Sequence, residues 1–176
     1  FKKPPKPIFY PNGVRSGSSN YPRTELRETS NDGRTRTKWS NTKGYHVMDF
    51  KAAVTAVPRG KKHVVVGQIH DSKSDVVVLR LEHPTMYVNV DGKNVLALDN
   101  NYALGRVFSA RFETYEGKIN VYYNDMSRPI YSFNHAISDE SGFFKVGTYT
   151  QSNCDKEKEK GQTCGSDNYG EIRLYA

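Results

Sequence analysis

Three short segments of this chain carry side chains that could hold a carboxylate and move protons. They are Arg23-Thr24-Glu25-Leu26-Arg27, Gln68-Ile69-His70 and the stretch from Phe143 to Gln151. Guanidinium and amide groups bind carboxylates through directed N–H donors, whereas imidazole and phenol groups can exchange protons with a substrate. Together these residue types suggest acid–base chemistry on an anionic substrate.

Each segment alternates polar and apolar residues as a β-strand does, and successive strand side chains face opposite sides. Alternation places eight polar residues on one face of their strands: Arg23, Glu25, Arg27, Gln68, His70, Lys145, Tyr149 and Gln151. The opposite faces are apolar, with Leu26, Val65 with Ile69, and Phe144 with Val146. A solvated sheet face also alternates, but it usually carries Lys, Glu, Thr and Ser. The residue types therefore favour a binding face over a solvated one.

The elements that position these residues are predicted to be strands, because runs rich in Val, Ile, Tyr and Phe alternate with a period of two. The predicted strands are 46–57, 62–70, 76–82, 86–90, 107–114, 119–124, 143–151 and 171–175. Turn residues such as Asp91-Gly92 and Glu116-Gly117 separate them. Many short strands with turns at this spacing predict an all-β fold, either a β-sandwich or a jelly roll.

Length and charge restrict the possibilities further. The 176 residues fit a single domain spanning 1–176, in which residues 1–20, rich in Pro, Gly, Ser and Asn, are expected to be irregular. The formal charge of +7, from 26 Lys and Arg against 19 Asp and Glu, favours a polyanionic partner. The apolar runs are strand-sized and shorter than the roughly 18 residues of a membrane helix, so we expect no membrane partner.

The two cysteines, Cys154 and Cys164, flank the charged run Asp155–Lys160, which is expected to be a solvated loop. This spacing favours a disulfide that closes the loop, and the alternative is a pair of reduced thiols. Neither cysteine has the second Cys or His at short spacing that a structural zinc site requires, so no metal site is expected.

The three polar segments resemble the three signature motifs of polysaccharide lyase family 7, a family of alginate lyases. The motifs occur in the family's order, and the resemblance runs from about Phe9 to the C-terminus. It implies a jelly-roll β-sandwich of two antiparallel sheets with alginate bound in a concave groove. Two departures are visible: Phe143 replaces the tyrosine that usually begins the third motif, and an early strand with a tryptophan is either absent or cropped from this sequence. The first departure is expected to affect packing more than chemistry.

The resemblance implies roles for the polar residues. Arg23 and Gln68 would neutralise the uronate carboxylate, His70 would take the C5 proton, and Tyr149 would protonate the leaving oxygen at C4, without a metal or other cofactor. Gly147 is expected to leave an open spot for a sugar ring. The residues expected to bind the substrate or to orient Arg23 are Glu25, Arg27, Lys145 and Gln151.

Finer expectations follow from the same resemblance. Ile69 between Gln68 and His70 tends to accompany guluronate-containing substrates in this family, so a preference for guluronate is predicted, with a polymannuronate-preferring lyase as the alternative. Endolytic cleavage is predicted as well. The substrate and the expected disulfide predict a secreted, extracellular protein, which we expect to be a monomer.

Three other classes remain open at this stage. A non-catalytic carbohydrate-binding module could use the same basic groove without needing His70 and Tyr149 together. A hydrolase would need paired carboxylates, and the three segments supply only Glu25. A nucleic-acid-binding domain is permitted by the charge, but no recognition helix, zinc-finger spacing or aromatic ribonucleoprotein motif supports a nucleic-acid partner.

Overall fold

A computed structural model describes the backbone of residues 6–11 and all of residues 19–175. Within these residues the chain is almost entirely β-structure. The elements are β1 (Lys6–Pro11), β2 (Arg23–Arg27), β3 (Tyr45–Ala56), β4 (His63–His70), β5 (Asp75–Glu82), β6 (Thr85–Val90), β7 (Lys93–Asp99), β8 (Phe108–Tyr115), β9 (Lys118–Tyr123), β10 (Tyr131–Asn134), β11 (Phe143–Thr150), α1 (Cys154–Glu159) and β12 (Tyr169–Tyr175).

These strands form two six-stranded sheets in which the paired strands are antiparallel. The first sheet has the order β1-β12-β3-β8-β9-β10, and the second has the order β2-β11-β4-β5-β6-β7. The predicted all-β fold is confirmed, and it is the jelly roll implied by the resemblance.

The core lies between the two sheets and is built from alternate residues of their strands. The second sheet contributes Val64, Ile69, Leu79 and Val88, all completely buried. Gly67 lies where the sheets approach closely, since a Cβ there would be 2.8 Å from the Phe50 ring. Burial of this apolar surface is the main force that holds the sheets face to face.

Every strand predicted from alternation is present, with its ends within two residues of the predicted bounds. Besides β1, two strands were not predicted, β7 and β10, and both lie at sheet edges, where partial exposure weakens the apolar pattern. The prediction that residues 1–20 are irregular is wrong for Lys6–Pro11, which pair with β12 as an edge strand. Prolines are tolerated there because an edge strand can lack ladder donors. Residues 1–5 and 12–18 of that prediction lie outside the described residues.

The run Asp155–Lys160 is not the solvated loop that was predicted. Residues Cys154–Glu159 form the short helix α1, and the side chain of Asn153 caps its N-terminus by accepting a hydrogen bond from the Lys156 amide. Glu157, in the middle of the charged run, is completely buried. The predicted disulfide between Cys154 and Cys164 is present beside it.

Candidate functional site

The three polar segments lie side by side in the second sheet, because β11 pairs with β2 on one side and with β4 on the other. Directly opposed residues of neighbouring strands share a face. Tyr149 is opposite Arg23, and Lys145 is opposite both Arg27 and Gln68. The register therefore brings the predicted residues of all three strands onto one face, away from the core.

Arg23 and Tyr149 are in direct contact on this face. The Arg23 guanidinium carbon lies 4.3 Å from the centre of the Tyr149 ring, which is a cation–π geometry. The Tyr149 hydroxyl lies 3.4 Å from Ser19 Oγ, which itself donates to the Tyr21 carbonyl. The phenol is thus fixed beside the guanidinium proposed to hold the substrate.

Glu25 lies at the centre of the group, between Arg23 and Gln68. Gln68 Nε2 donates a hydrogen bond to Glu25 Oε1, and Arg23 Nη1 lies 3.7 Å from Glu25 Oε2. The Glu25 side chain is only 4% exposed, and its Oε2 has no hydrogen-bond partner. Burial raises the pKa of Glu25 above its ordinary value, although Lys145, Gln68 and Arg23 all lower it. Gln68 is 1% exposed, so its amide contacts Glu25 before any substrate arrives.

His70 ends β4 with its ring held on two sides. Its Nδ1 lies 2.6 Å from the Asp71 carbonyl oxygen, and its ring stacks on Phe143 with centroids 5.1 Å apart. Because a carbonyl oxygen only accepts, Nδ1 carries the hydrogen and Nε2 is left as the basic atom. Burial lowers the pKa of His70, which keeps the imidazole neutral near pH 7. These properties fit a general base.

Phe143, the residue that departs from the family pattern, packs between the His70 ring and the Arg27 guanidinium. The guanidinium carbon of Arg27 lies 3.4 Å from the centre of the Phe143 ring. Arg27 also donates to the Thr37 carbonyl, whereas its Nε is buried without a partner. Lys145 Nζ lies 5.2 Å from the same ring. Burial lowers the pKa of both Arg27 and Lys145.

Gln151, the last of the predicted substrate-binding residues, directly follows β11. Its backbone amide donates to the His63 carbonyl, while its side-chain Nε2 is buried without a hydrogen-bond partner. An unpaired buried amide is costly unless a ligand or water completes it. Gln151 therefore has a donor available for a ligand.

Two predictions about individual residues need correction. Gly147 does not leave an open spot, because a Cβ there would lie 2.5 Å from the Thr24 carbonyl oxygen; its φ of +152° and this close approach to β2 require glycine. Val65 does not point to the core face, because the bulge between Val65 and Gly67 places Val65 opposite Tyr149. Leu26 lies on the face opposite the polar residues, as predicted, and is 60% exposed because β2 is an edge strand.

The face of the second sheet that carries Arg23, Gln68 and Tyr149 is called the groove face below. It also contains residues that were not predicted from the sequence. The row that contains Arg23, Tyr149 and Val65 continues across β5 and β6 to Arg80 and Tyr87. Asn89 and Asn94 extend the neighbouring row that begins at Arg27 and Lys145, and Arg80 donates to Asn94 at 3.0 Å. The alternation in β5 separates Arg80 from the apolar residues of that strand. The bulge in β4, however, prevents a prediction from sequence of which face of β5 belongs to the groove face.

No group of three or more His, Cys, Asp or Glu side chains is arranged to hold a metal ion in the described part of the chain. No helix among these residues is long and apolar enough to cross a membrane.

Comparison with known proteins identifies similar sequences and folds. The family model described as alginate lyase matches residues 7–176. The structure is similar to the alginate lyase AlgAT5 from polysaccharide lyase family 7, with 40% identity and a TM-score of 0.86 over 97% of this chain and 75% of that one. None of the curated proteins matches this chain.

Two further solved structures show the same similarity. An alginate lyase from Corynebacterium sp. has 37% identity and a TM-score of 0.85, over 96% of this chain and 73% of that one. Truncated AlyQ, which has CBM32 and alginate lyase domains, has 32% identity and a TM-score of 0.81, over 97% of this chain and 50% of that one.

Proposed function

Since this chain belongs to the alginate lyase family, polysaccharide lyase family 7, we propose that four residues of its groove carry the β-elimination: Arg23, Gln68, His70 and Tyr149. The observation that carries this assignment is the state of His70. A neutral imidazole with its hydrogen on Nδ1 lies on the same strand as the amide, and next to the strand that holds the phenol. A merely binding surface needs no such base.

The reaction begins with the substrate carboxylate, because the C5 proton next to an ionised carboxylate is very weakly acidic. Arg23 can bind the carboxylate through two N–H donors, and Gln68 can donate a third. These donors stabilise the enolate-like charge that develops when the proton leaves. Arg23 thus takes the role that a metal ion would have in another enzyme.

Proton transfer completes the elimination. His70 Nε2 takes the C5 proton, the C4–O bond breaks as the C4=C5 double bond forms, and Tyr149 gives its phenolic proton to the departing oxygen. For mannuronate, where proton and leaving group lie on the same side, Tyr149 serves as both base and acid. The contact between Tyr149 and Arg23 supports this assignment, because it holds the phenol beside the bound carboxylate.

We also propose endolytic cleavage with a preference for guluronate-containing alginate. The groove face continues past His70 over β5, β6 and β7, which supports binding of a long chain across several strands. His70 is the natural base for guluronate, and its basic Nε2 supports that preference. Ile69 is completely buried, so any effect of this residue on substrate choice is indirect.

Secretion and a monomeric state remain proposals of the same kind. The disulfide between Cys154 and Cys164 supports an oxidising, extracellular location, where such bonds persist. Fractionation of the producing cells and light scattering of the purified protein test these two proposals.

The test of function follows the ultraviolet absorbance of the unsaturated uronate, with polyguluronate, polymannuronate and mixed alginate supplied separately. We expect absorbance to rise fastest with guluronate-containing substrate and to be lost in His70→Ala and Tyr149→Phe. The matched controls are Tyr115→Phe, at the end of β8 in the first sheet, and His135→Ala, directly after β10 of the same sheet. Binding of alginate without any absorbance rise would instead indicate a carbohydrate-binding module.

A further inference from the structure

The Glu25 carboxylate has fewer partners than its burial requires. Its side chain is 4% exposed, and of its two oxygens only Oε1 accepts a hydrogen bond, from Gln68. Oε2 is buried without a hydrogen-bond partner and forms only a long ion pair with Arg23 Nη1, 3.7 Å away. An ionised carboxylate normally accepts several hydrogen bonds, so the free enzyme leaves this one incomplete.

The donors that face Glu25 are the ones proposed to bind the substrate. Arg23 and Gln68 must both reach the uronate carboxylate, which brings that carboxylate next to the unpaired Oε2. Two carboxylates that share donors at close range do not both stay ionised, and one of them retains a proton. Of the two, Glu25 is the better proton acceptor, because burial already raises its pKa.

We propose that Glu25 takes up a proton when alginate binds and then donates the Oε2 hydrogen to the substrate carboxylate. This inference rests on the proposed function and gives the carboxylate a third donor group, next to Arg23 and Gln68. The proton comes from solvent when the complex forms and returns to solvent when the product leaves. It takes no part in the bonds that break and form, since His70 receives the C5 proton and Tyr149 supplies the proton at C4.

Titratable groups on β2, β11 and β4 surround Glu25, and the charges of Lys145 and Arg23 lower its pKa. Arg23 and Arg27 belong to β2 with Glu25, Lys145 faces it from β11, and His70 ends β4. The cations favour ionised Glu25 in the free enzyme, and the arriving substrate carboxylate offsets them. Lys145 and His70 also have lowered pKa values, so either could take up a proton on binding. An experiment must separate these three sources.

The experiment uses isothermal titration calorimetry of the Tyr149→Phe/His70→Asn double variant, which cannot turn over and lacks the His70 proton site. A guluronate tetramer is titrated into it in two buffers of different ionisation enthalpy at the same pH, which yields the number of protons taken up. We expect about one proton per bound tetramer above the free-enzyme pKa of Glu25, by linkage. Adding Glu25→Gln should abolish the uptake. Adding Lys145→Met instead removes a cation that lowers the pKa of Glu25, so the uptake should persist in this variant at a pH above the higher pKa that Glu25 then has.

A second measurement does not depend on the folding of the Glu25→Gln variant. With isotopically labelled glutamate in the double variant, the infrared difference spectrum on binding should show the C=O band of a protonated glutamic acid. Binding without proton uptake, or uptake that survives Glu25→Gln, would overturn the inference and leave the lyase assignment intact. Failure of the wild-type chain to form unsaturated product would instead overturn the proposed function.

Discussion

Two buried glutamates of this fold have opposite surroundings. Glu157 on α1 accepts hydrogen bonds from four groups: the Gly60 and Lys61 amides, the Ser152 hydroxyl and the Asn168 side chain. Burial raises the pKa of Glu157, but these hydrogen bonds outweigh it and the pKa is lowered. Glu25 in the groove has one donor, and burial raises its pKa. The number of donors, more than burial, therefore separates a structural carboxylate from one available for chemistry.

The same difference extends to the two sheets. In the described residues, five buried side-chain atoms lack a hydrogen-bond partner: Glu25 Oε2, Arg27 Nε, Arg80 Nε, Gln151 Nε2 and Tyr123 Oη. The first four lie on the groove strands or directly after β11. On the other sheet, the Glu113 carboxylate accepts hydrogen bonds from Tyr45, Asn120 and Tyr122. Unpaired groups held in place for a substrate are a mark of a preorganised site.

The largest expected effect is on the groove side of this comparison, from Arg23→Lys. Lysine keeps the charge but loses the two-pronged donor geometry, so kcat/KM should fall by about 10²–10³-fold. The free energy of unfolding should change by less than about 0.5 kcal/mol, because a lysine can keep both the long ion pair with Glu25 and the contact with the Tyr149 ring. The control is Arg111→Lys, which removes the two-pronged pair with Asp49 on the other sheet. Equal loss of activity in both variants would contradict the assignment.

The second effect should fall on stability alone. Glu157→Gln removes the charge that four donors surround and turns an amide N–H toward some of them, which should lower the free energy of unfolding by about 3 kcal/mol. Urea denaturation measures this, and kcat of the folded variant should stay near the wild-type value. Glu159→Gln on the same helix is the control, since Glu159 is exposed and pairs only with Lys156. A large fall in kcat for Glu157→Gln would show that α1 belongs to the active site.

The strands could be predicted from the sequence because alternation reflects local burial on one sheet face. The predicted site residues also share a face in the structure, since parity holds along uninterrupted strands such as β2. The alternation of faces is interrupted at bulges. Because β4 has a bulge next to Val65, the faces on which Val65 and its partner Arg80 lie could not be predicted from the sequence. The contact of Gly147 with the β2 backbone was equally hidden, because it depends on how two strands pack.

The helix α1 shows a different limit. Its residues form a charged run that is usually solvated, and a helix of this length is not stable by itself. Two of the four donors that compensate for the burial of Glu157 are the amides of Gly60 and Lys61, which lie far away in the sequence. No local pattern contains that information. The disulfide was predictable because the two cysteines lie close together in the sequence.

The third effect concerns that disulfide, the other constraint on the Glu157 region. Its loop closes over a sequence separation of 10 residues, for which loss of the cross-link should lower the free energy of unfolding by about 2.5 kcal/mol. The Cys154→Ser/Cys164→Ser variant should therefore unfold at lower urea concentration, and only the wild type should respond to a reductant. Its kcat should be retained. A variant that keeps full stability would show that Glu157 alone holds α1 in place.

The smallest expected effect concerns how the free energy of unfolding depends on pH, to which Glu25 and Glu157 should contribute with opposite signs. Because the pKa of Glu25 is raised on folding, its ionised form costs stability above that pKa, and the cost disappears as the pH falls through it. Glu25→Gln should thus raise the free energy of unfolding at neutral pH, by on the order of 1 kcal/mol, with no gain in acid. The pKa of Glu157 is lowered, so its contribution is present at neutral pH and is lost as the pH falls through the folded value. Urea denaturation of both variants and the wild type across this range measures the two signs. If Glu25→Gln destabilises the protein at neutral pH as Glu157→Gln does, Glu25 is a structural counterion, and the contrast between the groove and the helix fails.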